Sequence, residues 1–163
     1  MESIIRPLRR EEHPLVEAFL HQAIFKRDMQ HLLPRSIIYQ PDIWVYIKDY
    51  GQPDDHCLVA ELDGNIAGAV WARILAGPVK GFGNIDEHTP EFAISLYPGF
   101  RGQGIGTRLM EAMLHLLREK GYQQASLAVH KDNYAVTLYQ KVGFSILRET
   151  EEEYIIAVQL QAD

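Results

Sequence analysis

The densest chemistry in this chain lies between Phe92 and Thr107. The run Phe92-Ala93-Ile94-Ser95-Leu96-Tyr97-Pro98-Gly99-Phe100-Arg101-Gly102-Gln103-Gly104-Ile105-Gly106 reads as a strand, a glycine-rich turn and the start of an amphipathic helix. The N–H groups of a helix's first turn are unpaired and carry partial positive charge. Gly102, Gly104 and Gly106 remove side chains, so a phosphate can approach those amides closely, and Arg101 adds a full charge beside them. The same glycines suit a plain strand-to-helix turn, and the spacing alone leaves both readings open. Two nucleotide motifs fit less well. A P-loop needs Lys-Ser/Thr after its last glycine, where Thr107-Arg108 stands here. A Rossmann fingerprint opens the first strand–helix unit, with an acid about 20 residues on, whereas this loop comes late.

Composition limits what such a loop serves. The chain has 163 residues, enough for one domain over 1–163 with a real core. Its apolar fraction of 47% and charged fraction of 23% are those of a globular protein rather than a disordered one. A net charge of −6 argues against binding a nucleic-acid backbone. A lone cysteine, Cys57, excludes an intrachain disulfide and a Cys-based zinc cage; it opens an apolar strand and is expected to be buried. The seven histidines show no metal-ligand spacing, so no metal is expected. No apolar run reaches the ~18 residues of a membrane span, and Met1–Pro7 lacks a signal-peptide layout, so a cytoplasmic protein is expected.

The elements that must position the loop follow from periodicity and punctuation. Ser3–Arg9 reads as a strand with Pro7 at an edge position, Pro14–Lys26 as a helix, and Pro41–Tyr50 as a second helix opened by proline and stopped by Gly51. Cys57–Leu62 and Ile66–Ile74 flank Asp63-Gly64, a strong hairpin signal. Gly77–Asn84 is a loop and Glu91–Tyr97 a strand. Gly104–Lys120 is the clearest helix, with Ile105, Leu109, Ala112, Met113, Leu116 and Leu117 on one face and Gly121 as its stop. Ala125–Val129 reads as a strand, Asn133–Val142 as a short helix, and Phe144–Leu147 and Tyr154–Leu160 as the last strands. The order predicts an α/β (α+β type) domain: a mixed, mainly antiparallel twisted sheet of about six to seven strands with about four helices packed on it.

Two blocks resemble one family. Arg101-Gly102-Gln103-Gly104-Ile105-Gly106 resembles the acetyl-CoA-binding signature of the GNAT N-acetyltransferase superfamily, Arg/Gln-x-x-Gly-x-Gly/Ala, and Leu96-Tyr97-Pro98 resembles the Val-x-Pro that ends that family's fourth strand. Asn133–Phe144, with Ala135, Leu138-Tyr139, Lys141 and Gly143-Phe144, resembles its Asn-x-x-Ala-x-x-Leu-Tyr-x-x-x-Gly-Phe. One departure stands out: Asn133 lies two residues before Ala135 instead of three, so either Asp132 or Asn133 fills the motif's Asn position. The element order fits over nearly the whole chain.

The resemblance implies acetyl-CoA as co-substrate and transfer of its acetyl group to the primary amine of a small molecule, amino acid or peptide. An acyl-CoA-binding sensor without turnover is the alternative, because binding needs only the amides. Leu96 and Tyr97 would offer backbone groups to the pantetheine arm, and the pyrophosphate would sit on the amides of Gly102–Thr107, with Arg101, Gln103 and Ile105 in the same loop and Asn133 beside the cofactor. An amine of ordinary pKa near 10.4 costs roughly 4–5 kcal/mol to deprotonate at pH 7, so a carboxylate base is needed. Glu91 stands at the offset from Ser95 seen in some members; a solvated strand-end charge is its plainer reading. The position where other members carry a fifth-strand Glu is Ala128, and Asp86, Glu87 and His88 are weaker base candidates. Tyr139 holds the family's general-acid position, to protonate the departing thiolate; a core tyrosine is its plainer reading. Trp44, Tyr46, Tyr50, Trp71, Arg73 and Gly77–Asn84 are the candidate acceptor wall. The family's last strand often pairs between subunits, which would make a homodimer.

Overall fold

The computed structural model describes residues 3–24 and 33–162. Its sheet runs β1 (Ile4–Pro7), β2 (His56–Leu62), β3 (Asn65–Arg73), β4 (Glu91–Leu96), β5 (Gln124–His130), β7 (Glu153–Gln159), β6 (Ser145–Glu149), in that spatial order. Every neighbouring pair is antiparallel except β4 and β5. The expected mainly antiparallel α+β sheet is therefore present, with seven strands. The α-helices among the described residues are α1 (Val16–Ala23), α2 (Pro41–Trp44), α3 (Ile105–Glu119) and α4 (Ala135–Lys141). No helix among the described residues is long and apolar enough to cross a membrane.

Local chemistry explains most elements. Asp63 and Gly64 both take positive φ, as the tight hairpin between β2 and β3 requires. Pro7 sits on the edge strand β1, where its missing N–H breaks no ladder. The apolar stripe of α3 buries Ile105, Leu109, Met113 and Leu117, and Gly121 at φ 89° ends the helix.

Two helices differ from expectation. The segment Pro14–Lys26 is a 3-10 turn over Arg10–Leu15 followed by α1, and the chain is extended again at Ile24. Pro14 lies inside the turn, where it can donate no bond; Lys26 lies outside the described residues. The expected helix Pro41–Tyr50 keeps α-form only to Trp44. The carbonyls that would continue it are captured from the sheet: Trp71 Nε1 donates to Tyr46 O at 3.0 Å and Arg73 Nη1 to Val45 O at 3.0 Å. The run Ile43-Trp44-Val45-Tyr46-Ile47 is also rich in β-branched and aromatic residues, which are mediocre helix formers.

The sheet is covered on both sides. On one face α3 and the Tyr139–Phe144 region pack against Leu58, Val70, Phe92, Leu127, Val129 and Ile156. On the other, α1 and the segment around α2 pack against Val59, Ala69 and Trp71. Strand alternation thus gives each of β4 and β5 two functional faces. In β4, Phe92, Ile94 and Leu96 face α3, while Ala93 and, just past the strand's end, Tyr97 face α1.

Leu109 is fully buried in the α3 core. Leu109→Ala is expected to lower unfolding stability by about 2–5 kcal/mol, read from urea denaturation; a loss below about 1 kcal/mol would mean the α3 face is not a packed core.

Candidate active site

The site begins where the sheet parts. β4 and β5 pair at a single position, Glu91 opposite Ser126, with Ser126 N–H donating to Pro90 O at 3.0 Å. Beyond it a cavity of about 290 Å³ opens between Phe92–Ile94 of β4 and Leu127–His130 of β5. The N–H and C=O of one strand residue point the same way, and alternate residues point oppositely. Pro90 faces β5, so Phe92, Ile94 and Leu96 turn their backbone groups toward β5, and Ile94 and Leu96 meet the gap. Tyr97 faces β3: its N–H donates to Ala67 O at 2.9 Å, and its carbonyl accepts Phe100 N–H at 3.0 Å. Of the expected pair, then, Leu96 turns its backbone toward the gap, with its carbonyl reached by Arg101 Nε at 3.4 Å, and Tyr97 does not; sequence reading missed Ile94, which strand alternation could have flagged.

At the end of β4 the chain makes a 3-10 turn over Pro98–Phe100 and enters α3 through Gly102 (φ 76°) and Gly104 (φ 80°). Gly104 is the N-cap residue and has no side chain to cap the first amides. Those of Ile105, Gly106 and Thr107 lie in the first turn, ahead of the Arg108 N–H to Gly104 O bond. A Cβ on Gly106 would lie 3.4 Å from Leu96 Cδ1, so this glycine keeps α3 close to the end of β4. Arg101 Nε reaches Leu96 O at 3.4 Å and Gln103 Nε2 reaches Gly99 O at 3.3 Å, both from exposed positions. The Ile105 side chain is buried, so only its backbone belongs to the loop. Arg108 is turned away, donating to Ser3 O at 2.8 Å.

Glu91 is not a solvated strand-end charge. It is 2% exposed and lines the cavity from the α1 side. Tyr46 Oη donates to Glu91 Oε2, and Gly83 N–H donates to the same oxygen at 3.0 Å. Phe82 N–H in turn donates to Tyr46 Oη at 2.9 Å. The other oxygen, Oε1, is buried without a hydrogen-bond partner. The loop is wrapped so tightly around this carboxyl that a Cβ on Gly81 would fall 1.9 Å from Oε1. A Cβ on Gly83 would lie 2.8 Å from Ala128 N. Ser126 Oγ pins the loop by donating to Gly83 O at 2.7 Å. Burial pushes Glu91 up to about 7, against the downward pull of the Tyr46 and Gly83 hydrogen bonds.

Tyr139 reaches the cavity from the opposite face of the sheet. It is 5% exposed, packs at 6.0 Å on Phe144, and burial raises its phenol above the ordinary value, so it stays protonated at neutral pH. Its hydroxyl has no hydrogen-bond partner among the described residues. Asn133 lines the cavity and Asp132 is exposed outside it, so Asn133 is the one the fold brings to the site. Asn133 Oδ1 accepts Ala135 N–H at 2.9 Å, fixing the start of the helix that carries Tyr139.

The remaining candidates divide. Tyr46 and Phe82 reach the cavity, their rings stacked at 6.3 Å. Trp71 is core against Phe19, Arg73 is paired with Asp55 at 2.8 Å, Tyr50 meets His13 edge-on and Trp44 packs on Tyr39. Asp86 ties up His88 N–H and Thr89 Oγ1 on the surface, and with Glu87 and His88 stays outside the cavity. Cys57 is buried, its thiol pushed up to about 12 by that burial. Sequence reading missed Glu153 and His130, which line the cavity from β7 and β5. The available signal for Glu153 was its period-2 relation to Ile155 and Ala157, which are buried on the same strand.

The chain matches the acetyltransferase (GNAT) family over residues 21–144. A mycothiol acetyltransferase of Paenarthrobacter aurescens (strain TC1) is 29% identical over 100 residues, covering 60% of this chain and 29% of that protein. N-acetyltransferase family 8 member 2 of Rattus norvegicus is 31% identical over 106 residues, covering 64% of this chain and 45% of that protein. The chain thus spans less than half the length of either curated relative. The fold matches the PaiA N-acetyltransferase of Thermoplasma acidophilum, solved in complex with coenzyme A, with a TM-score of 0.69 at 18% identity over 98% of this chain and 99% of that one. It matches yncA of Salmonella typhimurium, solved with its cofactor acetyl-CoA, with a TM-score of 0.72 at 14% identity over 100% and 96%.

A carboxyl raised from 4.5 to about 7 makes stability depend on pH. The folded state holds the proton where the unfolded chain releases it, so the stability is whole below about pH 4.5 and is lost as pH rises through 7, by about 3 kcal/mol. Glu91→Gln cannot ionise. Its melting temperature is expected to gain several degrees on the unaltered protein between pH 5 and pH 8; a gap that stays constant between those pH values would show that Glu91 carries no raised pKa.

Proposed function

Because this chain belongs to the acetyltransferase (GNAT) family, we propose that it is an acetyl-CoA-dependent N-acetyltransferase. The acetyl group passes to a primary amine by direct attack within one ternary complex. The observation that carries this reading is the opening between β4 and β5, which Glu91 and Tyr139 reach from opposite faces of the sheet. A thioester lying in that gap would have a base on one side and an acid on the other.

The residues present suit coenzyme A. Ile94 and Leu96 hold the pantetheine arm along the free edge of β4, as a sheet edge takes an added strand. The uncapped amides after Gly104, flanked by Arg101 and Gln103, hold the pyrophosphate. Asn133 sets the start of α4 and so the place of Tyr139. Acetyl-CoA supplies an activated acyl group; the chain supplies position and proton transfer. Holding both reactants in one cleft is worth at best ~7–11 kcal/mol of the barrier.

Glu91 takes the proton that the acceptor ammonium must lose, directly or through a water. A value of about 7 suits that task, since a base works best near the working pH. Tyr46 and Gly83 hold the accepting carboxyl in place. The amine nitrogen then bonds to the acetyl carbon, the carbon–sulfur bond breaks, and the second proton that the nitrogen sheds on becoming an amide passes to solvent. Tyr139 gives its proton to the departing thiolate and regains one from solvent.

Thermal unfolding tests the binding half of this reading. Acetyl-CoA and CoA at about 100 times their Kd are expected to add ~2.7 kcal/mol, a rise of several degrees, while ATP and NAD add none. No response to either CoA form would overturn the assignment. Steady-state kinetics test the chemistry. Tyr139→Phe is expected to cut kcat by about 100-fold or more. The unaltered enzyme's rate rises through pH 7 as Glu91 ionises, and Glu91→Gln loses that limb. A Tyr139→Phe enzyme of undiminished kcat removes the acid role, and an unchanged limb removes the base.

A further inference from the structure

On the α1 side the cavity has an apolar wall and a carboxylate end. Leu20, Ile24, Ile43 and Phe82 form the wall. Glu91 on β4 and Glu153 on β7 form the end, with β5 between them. Between them β5 carries Ala128, which adds only a methyl group to the cavity lining, and Gly83 packs on its backbone on the Glu91 side. Glu153 stands opposite His130 in the β5–β7 ladder and interacts with that imidazole electrostatically, and its half-buried carboxylate accepts no hydrogen bond among the described residues. Glu91 is 2% exposed, and its Oε1 has no hydrogen-bond partner. His130 Nδ1 accepts Asp132 N–H at 3.1 Å. Two carboxyl groups with hydrogen-bonding capacity to spare, both lining one mostly apolar cavity, call for a cation with an apolar body.

Resting on the acetyl-transfer reading, we infer that the acceptor is a small primary amine with an apolar body and no carboxylate beside its amine. Its ammonium lies between Glu91 and Glu153, and its body lies on the wall of Leu20, Ile24, Ile43 and Phe82. Glu153 is thereby a specificity-determining residue. The carboxylate of a free α-amino acid is held beside its amine by the shared α-carbon, so it would stand against both glutamates whatever lies farther out. A cavity of about 290 Å³ suits a small molecule better than a chain of several residues.

Acetyl transfer to phenethylamine, phenylalanine and a phenylalanyl tripeptide amide tests the inference, with the unaltered enzyme and with Glu153→Gln. Phenethylamine is expected to show a kcat/KM at least tenfold above phenylalanine and above the tripeptide. Glu153→Gln is expected to raise the KM for phenethylamine about tenfold, leave the KM for acetyl-CoA unchanged, and shrink the preference over phenylalanine. A purely structural role for Glu153 would move both KM values or neither, and would leave the preference intact; either result overturns the inference. So does phenylalanine or the tripeptide used as well as phenethylamine, or acetyl-CoA binding with none of the three acetylated. Failure to bind acetyl-CoA, read separately by thermal shift, would instead overturn the acetyl-transfer reading itself.

Discussion

The parting of β4 from β5 after one bridge is the constraint on which the rest of the site depends. Continued pairing would bury the backbone groups of Ile94 and Leu96 in a ladder and close the cavity. Their separation leaves a free strand edge inside the molecule, which is costly unless something occupies it. Antiparallel pairing elsewhere holds the two halves of the sheet, β1–β4 and β5–β7–β6, as stable units on either side of the gap. The glycine loop then lies at the far end of β4, and Gly106 lets α3 approach Leu96 closely enough to hold the helix start beside the gap.

The surroundings of Glu91 show a site built against stability. Its carboxyl is buried, one oxygen is left without a partner, and a loop with glycines at 81 and 83 folds over it where any side chain would collide. The support extends outward. Tyr46 holds Glu91, and Trp71 and Arg73 hold the carbonyls of Tyr46 and Val45. Arg73 is itself fixed by Asp55. The same bonds that interrupt the helix after Trp44 place the Tyr46 hydroxyl. A broken helix and an oriented Glu91 carboxyl are thus two results of one set of hydrogen bonds, and an uninterrupted helix over Pro41–Tyr50 would put Tyr46 elsewhere.

The amino-acid sequence by itself determined the order and type of the elements, the hairpin at Asp63-Gly64, the long helix α3 and the glycine loop that opens it. These are short-range matters: turn glycines, proline positions and periodicity act within a few residues and leave plain marks. It also pointed to Glu91, Tyr139 and Asn133, because those stand at fixed distances from recognisable blocks. Only the tertiary structure decided which residues share the cavity. Glu91 and Glu153 lie far apart in the chain and meet because β5 alone separates their strands. Tyr46 separated from Trp71 and Arg73 because side chains from β3 captured backbone carbonyls that local propensity had assigned to a helix. Tyr97 turns its backbone toward β3, and Ile94 turns its own toward the gap, because pairing with β3 fixed which way each peptide group points. Burial of a charge, the direction of a strand edge and the breaking of a helix all depend on what arrives from distant parts of the chain, and spacing along the sequence carries no record of that.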